Sequence, residues 1–259
     1  LDNDGQPELK WRPGRSLSDE DYIYVYSLPS LTQEWKSTRH DPPYVAVKIA
    51  DVDNDGSDEI VTITHENEGW PEGGFVSVFD AVTHILEWRS EPFNYFYPYD
   101  LEIIDIDSDG KNEIVLAGLA GIGCVMILDG TTHETESKVS VPGTEGFTRM
   151  EIIDIDNNGT FEFVMAEEST VYVLNYEYHI LLKSNAGGYH GFINGSLLTG
   201  NIDDDANIEI INHFNGTITC FDGITYERWS MPGNNWSAAC LFDVENDGVF
   251  EIIASDKSG

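Results

Sequence analysis

The stretch Asp51–Val61, "DVDNDGSDEIV", places five acidic side chains in eleven positions, directly before an apolar run. Neighbouring carboxylates repel one another and raise each other's pKa values, so this crowding is unfavourable unless a cation neutralises it. With Asp51 as position 1, acidic residues stand at positions 1, 3, 5 and 9, and Gly56 stands at position 6. This stretch decides the fold because the chain repeats it.

Related stretches recur with a period of about 50 residues. In chain order they read "DIDSDGKNEIV" from residue 105, "DIDNNGTFEFV" from 154, "NIDDDANIEII" from 201 and "DVENDGVFEII" from 243, and the chain opens with "LDNDGQPEL". Such a period is typical of a propeller, a solenoid or an array of supersecondary units. We predict a single domain over residues 1–259, incomplete at one or both ends, with units starting near residues 1, 51, 105, 154, 201 and 243.

Each unit carries four short apolar runs in a fixed order. One run leads into the acidic stretch ("YVAVKIA", 44–50), a second leaves it ("EIV", 59–61), and two more follow ("FVSVF", 75–79, and "ILEWRS", 85–90). β-Branched and aromatic residues dominate these runs, and no segment keeps a 3.6-residue period. A parallel β-helix would use shorter repeats, and separate β domains of about 50 residues would have marginal cores. We therefore predict an all-β fold, a β-propeller of about five to seven four-stranded antiparallel blades, with the acidic loop between strands A and B of each blade.

Two residue types recur at matching places outside the acidic stretch. Trp35, Trp88 and Trp229 lie in the fourth run of their units, which predicts a repeated packing anchor, with a ligand contact as the less favoured alternative. His84 and His133 lie at equivalent places in the turn between the third and fourth runs, which predicts a repeated surface position.

The three cysteines do not form a disulfide framework. Cys124, Cys220 and Cys240 each lie in an apolar run, so we predict small buried side chains, with a Cys220–Cys240 disulfide as the alternative.

The acidic stretch has the donor set of a calcium loop. Carboxylates at positions 1, 3 and 5 alternate, so a tight loop points them inward, and a glycine at position 6 allows positive φ. Position 7 offers its backbone carbonyl, and the acid at position 9 completes an all-oxygen shell that suits Ca²⁺. Mg²⁺ is the second choice because it keeps its waters, and the lack of Cys and His argues against Zn²⁺. A solvated acidic turn explains one copy, but not six copies in phase.

The copies are not equal. Asn158 replaces the acid at position 5 of its loop but keeps an oxygen donor, and Glu245 is a longer acid at position 3. Asn201 and Ala206 make the 201–209 loop a poor candidate, because Ala resists positive φ. The first copy lacks position 1, so we expect no ion there. The predicted ligands of several structural Ca²⁺ ions are Asp51, Asp53, Asp55, Ser57, Glu59, Asp105, Asp107, Asp109, Lys111, Glu113, Asp154, Asp156, Asn158, Thr160, Glu162, Asp203, Asp205, Glu209, Asp243, Glu245, Asp247, Val249 and Glu251.

The Asp-x-Asp-x-Asp-Gly-x-x-Glu pattern and the "VSVFD…ILEWRS" segment after it resemble the FG-GAP and VCBS repeats of the integrin-α-like propeller superfamily. The resemblance covers the whole chain and implies structural calcium ions in the outer loops of the blades. It does not fix a function, because integrin heads, fungal lectins, bacterial surface proteins and family-11 rhamnogalacturonan lyases share such propellers. The Phe-Gly signature that names the family is not clearly repeated here.

Charge narrows the partners. The chain has 47 acidic and 13 basic residues, a net charge of −34, which repels nucleic acids and anionic membranes. A halophilic source is another explanation of the acidity. No apolar run reaches the ~20 residues of a membrane span. Calcium loops that need the millimolar calcium outside cells predict an extracellular or cell-surface location.

Three functional hypotheses follow. The first is a non-catalytic adhesion, scaffold or surface-assembly module, filament formation included, with a protein or glycan partner on an extracellular surface. The second is a lectin-like propeller that binds glycans through Trp70, Tyr95 and Tyr97. The third is a polysaccharide lyase, although no catalytic motif is present and the few basic residues make an acidic-sugar site hard to assemble. Sequons place candidate glycosylation sites at Asn194, Asn215 and Asn235.

Overall fold

The computed structural model describes residues 8–11, 22–28, 30–37, 44–65, 73–167, 170–184, 196–203, 205, 207–214, 216–231 and 236–256. These residues form strands, turns and loops, and none of them lies in a helix. The predicted all-β fold is confirmed. Within these ranges no helix is long and apolar enough to cross a membrane.

The strands form six antiparallel sheets. The first contains β1 (Glu8–Trp11), β2 (Tyr24–Ser27) and β3 (Thr32–Lys36); the second contains β4 (Tyr44–Ala50), β5 (Glu59–His65), β6 (Gly74–Asp80) and β7 (Leu86–Arg89). The third contains β8 (Tyr97–Ile104), β9 (Glu113–Leu119), β10 (Gly123–Asp129) and β11 (Thr135–Ser140); the fourth contains β12 (Arg149–Ile153), β13 (Glu162–Glu167), β14 (Thr170–Leu174) and β15 (Ile180–Lys183). The fifth contains β16 (Ser196–Gly200), β17 (Glu209–Phe214), β18 (Thr217–Phe221) and β19 (Arg228–Met231), and the last contains β20 (Trp236–Phe242) and β21 (Glu251–Asp256).

Four of the six sheets are the four-stranded units that the sequence predicts, with their strands in chain order A, B, C, D. Strands B and C of these sheets are buried almost throughout, whereas strand D is mostly exposed. Burial on both faces explains why strands B and C read as continuous apolar runs and not as alternating ones.

The chain divides into two compact units, Leu1–Gly146 and Phe147–Gly259. In the first, a core cluster joins the second and third sheets and includes Val61, Val76 and Leu116. In the second, a cluster joins the fourth and fifth sheets and includes Val164, Val173 and Ile210. Neighbouring sheets within each unit therefore pack face to face through strands A to C.

The tryptophan prediction is confirmed at two of its three positions. Trp35 stacks on His84 of the next sheet (ring centroids 4.6 Å apart, 4° between planes), and Trp88 stacks on His133 in the same way (4.1 Å, 8°). The two histidines lie at equivalent places between strands C and D, as predicted, and each is half-buried where it stacks on a tryptophan. Burial lowers the pKa of His133, despite the opposing effect of nearby carboxylates. Trp229 differs, with 39% of its surface exposed.

All three cysteines are free thiols. Cys124 and Cys220 are buried as predicted, and burial raises the pKa of both. Cys240 is exposed, so its predicted burial is wrong: the two-stranded last sheet has no described strand C to cover it.

Candidate cation-binding loops

Five of the acidic stretches connect strand A to strand B, as predicted; residues 1–7 of the first copy, at the start of the chain, lie outside the described residues. The loops 51–58, 105–112, 154–161, 201–208 and 243–250 follow β4, β8, β12, β16 and β20, and position 9 is the first residue of the next strand. Two positions in the loop have left-handed backbone. Position 6 is glycine, with φ 93° at Gly56 and 90° at Gly110, and position 4 is Asn54 (φ 61°) or Ser108 (φ 63°). The same pair recurs at Asn157 and Gly159 and at Asn246 and Gly248.

The loop backbone is folded around its own carboxylates, as the 105–113 loop shows. Asp105 Oδ2 accepts the Gly110 N–H (2.9 Å), and Asp105 Oδ1 and Asp107 Oδ1 both accept the Asp109 N–H (3.0 and 3.1 Å). Asp109 Oδ1 accepts the Lys111 N–H at 2.9 Å. The first two acids are thereby turned toward the centre of the loop.

The glutamate at position 9 closes the loop from the buried side. Glu59 is 3% exposed and Glu209 is 0% exposed, although each carries a carboxylate. One oxygen of each accepts the N–H of the residue at position 2, with distances of 2.7 Å from Val52 and 2.8 Å from Ile202. Glu113, Glu162 and Glu251 make the same hydrogen bond. The second oxygen of Glu209 is buried without a hydrogen-bond partner.

Burial makes ionisation of Glu59 and Glu113 unfavourable when no cation is present. Desolvation raises the pKa of Glu59 to about 7, and the nearby Asp53 carboxylate adds to the rise, against the effect of the Val52 hydrogen bond. Desolvation likewise raises the pKa of Glu113 to about 7, with Asp107 contributing. A cation in the loop would remove this penalty.

Among the described residues, four loops bring three carboxylates together. In each, one oxygen from every member lies within 4.8 Å of the others, a spacing that fits one shared cation. The triads are Asp51, Asp53 and Glu59; Asp105, Asp107 and Glu113; Asp154, Asp156 and Glu162; and Asp203, Asp205 and Glu209. Asp51 Oδ1 and Glu209 Oε1 are buried without a hydrogen-bond partner. Buried polar atoms without a partner are rare, so these oxygens fit cation ligands, and an all-oxygen donor set fits a hard cation.

The 201–209 loop is a better candidate than the sequence indicates. Its triad uses positions 3, 5 and 9, while Asn201 at position 1 turns its amide nitrogen to the Asp205 carbonyl oxygen (2.6 Å). The prediction that this loop is doubtful rested on Asn201 and on Ala206, and Ala206 lies outside the described residues.

Positions 5 and 7 stay predicted ligands. Asp55 Oδ1 accepts the Ser57 N–H (2.8 Å), and Asn158 Oδ1 accepts the Thr160 N–H (2.8 Å), so the position 5 side chains are partly used within the loop. The same holds for Asp109 and Lys111.

The 243–251 loop forms the same local hydrogen bonds, but its carboxylates do not come together as a triad. Asp243 accepts the N–H groups of Asp247 and Gly248, and Asp247 accepts that of Val249. The Glu245 carboxyl lies against Glu251, and a hydrogen bond between the two raises the pKa of Glu245.

The candidate glycan site is only partly described. Trp70 lies outside the described residues, as do the sequon asparagines Asn194, Asn215 and Asn235. Tyr95 is 55% exposed, and its backbone is left-handed (φ 61°). Tyr97 is half-buried, and its ring meets the His65 ring edge to face, with the ring centroids 5.5 Å apart. Other aromatics at or just before the start of a strand A, namely Tyr44, Phe96 and Phe147, are buried and pack in the core.

Sequence reasoning missed the contacts between successive loops. Asn112 donates its side-chain N–H to the Asp51 carbonyl oxygen (2.7 Å), and Thr131 Oγ1 donates to the Asp53 carbonyl oxygen (3.3 Å). Gly130 packs so closely that an added Cβ would lie 2.1 Å from the Val52 carbonyl oxygen. No signal in the sequence marks Asn112, because position 8 differs from copy to copy. The left-handed position 4 was detectable, since Asn favours that conformation.

No protein-family model and no curated protein matches the chain. Solved structures do match. The exotype rhamnogalacturonan lyase YesX aligns with TM-score 0.56 and 14% identity over 96% of this chain and 58% of its own. The V. cholerae biofilm matrix protein Bap1 aligns with TM-score 0.56 and 17% identity over 93% of this chain and 40% of its own. The C-terminal WD40 domain of Sif2 aligns with TM-score 0.56 and 13% identity over 86% and 56%.

This chain thus spans 58% and 40% of the first two of these proteins. Identities this low carry information on the fold alone, and membership of the FG-GAP and VCBS superfamily stays a prediction. WD40 domains are propellers of four-stranded blades. The repeated antiparallel sheets and these neighbours together give the fold class: the chain has a β-propeller fold.

Proposed function

We propose that this chain is a non-catalytic, extracellular β-propeller module that several structural Ca²⁺ ions stabilise, and that it serves adhesion, scaffolding or surface assembly, filament formation included. The observation that carries the proposal is the set of four acidic triads, two of which hold a buried carboxylate oxygen without a partner. Calcium accepts six to eight oxygen ligands with flexible geometry, which suits loops that offer carboxylate and carbonyl oxygens together.

The extracellular location in this proposal follows from the low calcium affinity expected of such loops. Exposed loops with side chains at positions 1, 3, 5 and 9 resemble low-affinity extracellular calcium modules, which fill at millimolar calcium. A net charge of −34 adds general attraction for cations and disfavours anionic partners.

Two of the structural neighbours have names that bear on the choice. Bap1 is a biofilm matrix protein and YesX is a lyase, but identities of 17% and 14% support the shared fold only. The residues of this chain therefore carry the proposal. The loops hold carboxylates, and the described residues show no pair of nucleophile and general base.

Calcium removal tests the proposal. A ligand present at a hundred times its Kd stabilises the folded state by about 2.7 kcal/mol per site. For several sites in a chain of this size, we expect EGTA to lower Tm by roughly 10 °C or more. Calcium chloride should restore Tm, and an equal concentration of magnesium chloride should restore it much less. An unchanged Tm in EGTA would contradict the structural role of calcium.

The lectin-like alternative has one favouring observation, the exposed Tyr95 ring on the segment before β8. An exposed aromatic face stacks on a sugar ring. Binding on a glycan array that Tyr95→Ala abolishes, while Tm in calcium stays within a degree or two, would favour this alternative. Release of unsaturated products from pectin-like polymers would instead establish the lyase.

A further inference from the structure

We propose that Asn112 is a positioning residue that couples the cation loop 51–59 to the cation loop 105–113, so that calcium in one loop raises the affinity of the other. This inference rests on the calcium binding proposed above. It adds communication between sites to what would otherwise be a set of independent ions.

Asn112 joins the two loops directly. Its Nδ2 donates to the Asp51 carbonyl oxygen at 2.7 Å, and its backbone N–H donates to Asn54 Oδ1 at 2.8 Å. Its carbonyl oxygen accepts the Gly130 N–H at 3.0 Å. Three polar groups of one half-buried residue are thus committed, two of them to the preceding sheet's loop.

The position of Asn112 in its own loop explains the coupling. It stands at position 8, between Lys111, whose N–H is held by Asp109 Oδ1, and Glu113, a buried member of the triad. A cation that fixes Glu113 also fixes the backbone of Asn112. Asn112 then holds the backbone of Asp51, whose Oδ1 is buried without a partner in the other triad.

The second compact unit repeats this construction. The Phe250 N–H, at position 8 of the last loop, donates to the carbonyl oxygen of Asn201, position 1 of the loop before it (2.8 Å). Gly223 packs against the Ile208 carbonyl oxygen and the Ile155 side chain, at 2.1 and 2.8 Å from where a Cβ would lie. Position 8 therefore contacts the start of the preceding loop in both units, and among the described contacts only Asn112 does so with its side chain.

A site-resolved titration tests the coupling. The glycine at position 6 of four loops, Gly56, Gly110, Gly159 and Gly248, donates its N–H to the first carboxylate of its loop. In the full chain labelled with ¹⁵N-glycine, each amide reports its own loop during a titration with calcium chloride. The variant Asp107→Asn disables the 105–113 loop, and the readout is the calcium midpoint at Gly56.

We expect D107N to raise the calcium midpoint at Gly56 about five-fold or more, the lower range of coupling between sites. In the N112A background, D107N should move that midpoint less than two-fold. The coupling is wrong if D107N leaves the Gly56 midpoint in place, or if the shift persists in N112A. If none of the four glycines responds to calcium, the proposed calcium binding itself fails, and the two failures are thereby distinguished.

A second variant keeps the test valid if N112A folds poorly. Asn54→Gly removes the acceptor for the Asn112 N–H and suits the left-handed backbone (φ 61°). Asn246→Gly is the matched control, with the same loop position and φ 61°. N54G should weaken the effect of D107N on Gly56, and N246G should leave it unchanged; equal behaviour of the two variants would overturn the coupling.

Discussion

The loops 51–59 and 243–251 share a sequence pattern and a local backbone but differ in their surroundings. In both, the first aspartate accepts the glycine N–H at position 6, and that glycine has φ of 93° or 94°. At position 2, however, Val52 is 1% exposed whereas Val244 is 58% exposed. The carboxylates converge into a triad only in the first loop.

The difference shows which part of the site is local. Hydrogen bonds between carboxylates and N–H groups two to five residues away need only the loop, so both copies form them. In the first loop the carboxylates converge around the buried Glu59, and the next sheet contacts that loop at the Asp51 and Val52 carbonyl oxygens through Asn112 and Gly130. No described strand packs over Val244. Cation affinity should therefore depend on packing between sheets as much as on the motif.

The largest expected effect comes from Gly130→Ala. The new Cβ would lie 2.1 Å from the Val52 carbonyl oxygen and 2.3 Å from that of Asn112, so the backbone of two sheets must separate. We expect a loss of about 3 kcal/mol in the free energy of unfolding, measured by urea denaturation in calcium.

Gly56→Ala and Gly248→Ala are the controls for this prediction. Both glycines have open space around the missing Cβ, so each alanine adds only backbone strain of about 1–2 kcal/mol. The two controls should match each other. If G130A costs no more than they do, packing by the next sheet does not distinguish the loops.

The tryptophans give the next largest effect. Trp88 pairs with Val78 of strand C, and Trp229 pairs with Cys220 of strand C in its own sheet. Val78 and Cys220 each lie two residues before an aspartate at the end of strand C, so the two tryptophan positions are equivalent. Trp88 stacks on His133, whereas Trp229 is 39% exposed and makes no ring contact within the described residues. W88A should cost about 2–3 kcal/mol in urea denaturation and W229A less than about 1 kcal/mol. Similar losses would show that the next sheet adds nothing to the anchor.

The sequence predicted the repeated unit well because the unit is encoded locally. The phased acidic stretches marked the strand A–B connections, and the left-handed glycine at position 6 follows from the lack of a Cβ at Gly56 and Gly110. The continuous apolar runs marked strands B and C.

The sequence did not predict features that depend on the neighbouring sheet. His84 and His133 are polar residues in turns, and the sequence does not predict that Trp35 and Trp88 stack on them. Asn112 contacts a residue 61 positions away, a pairing that only the fold creates. The same reason explains Cys240, whose apolar surroundings in sequence do not reveal that its sheet has two described strands.

The smallest expected effect is a pH dependence of the calcium-free protein. Burial raises the pKa of Glu59 and Glu113 to about 7, above the value of 4.5 for an exposed glutamate, so between these values the folded chain binds more protons than the unfolded chain. Their contribution to stability is then fully present below about pH 4.5 and is lost as the pH rises through about 7. With screening by water at the loop, we expect a loss of about 1 kcal/mol per glutamate between pH 5 and 8 in EGTA.

The double variant E59Q/E113Q, which resembles the protonated state, should remove the part of this slope that Glu59 and Glu113 contribute in urea denaturation series, whereas E251Q in the exposed loop should leave the slope unchanged. Calcium should reverse the dependence, because the ion binds the ionised carboxylates and must displace the protons. If the slope is the same in E59Q/E113Q and E251Q, burial does not raise the pKa of Glu59 and Glu113. The sequence motif alone would then account for the behaviour of both loops.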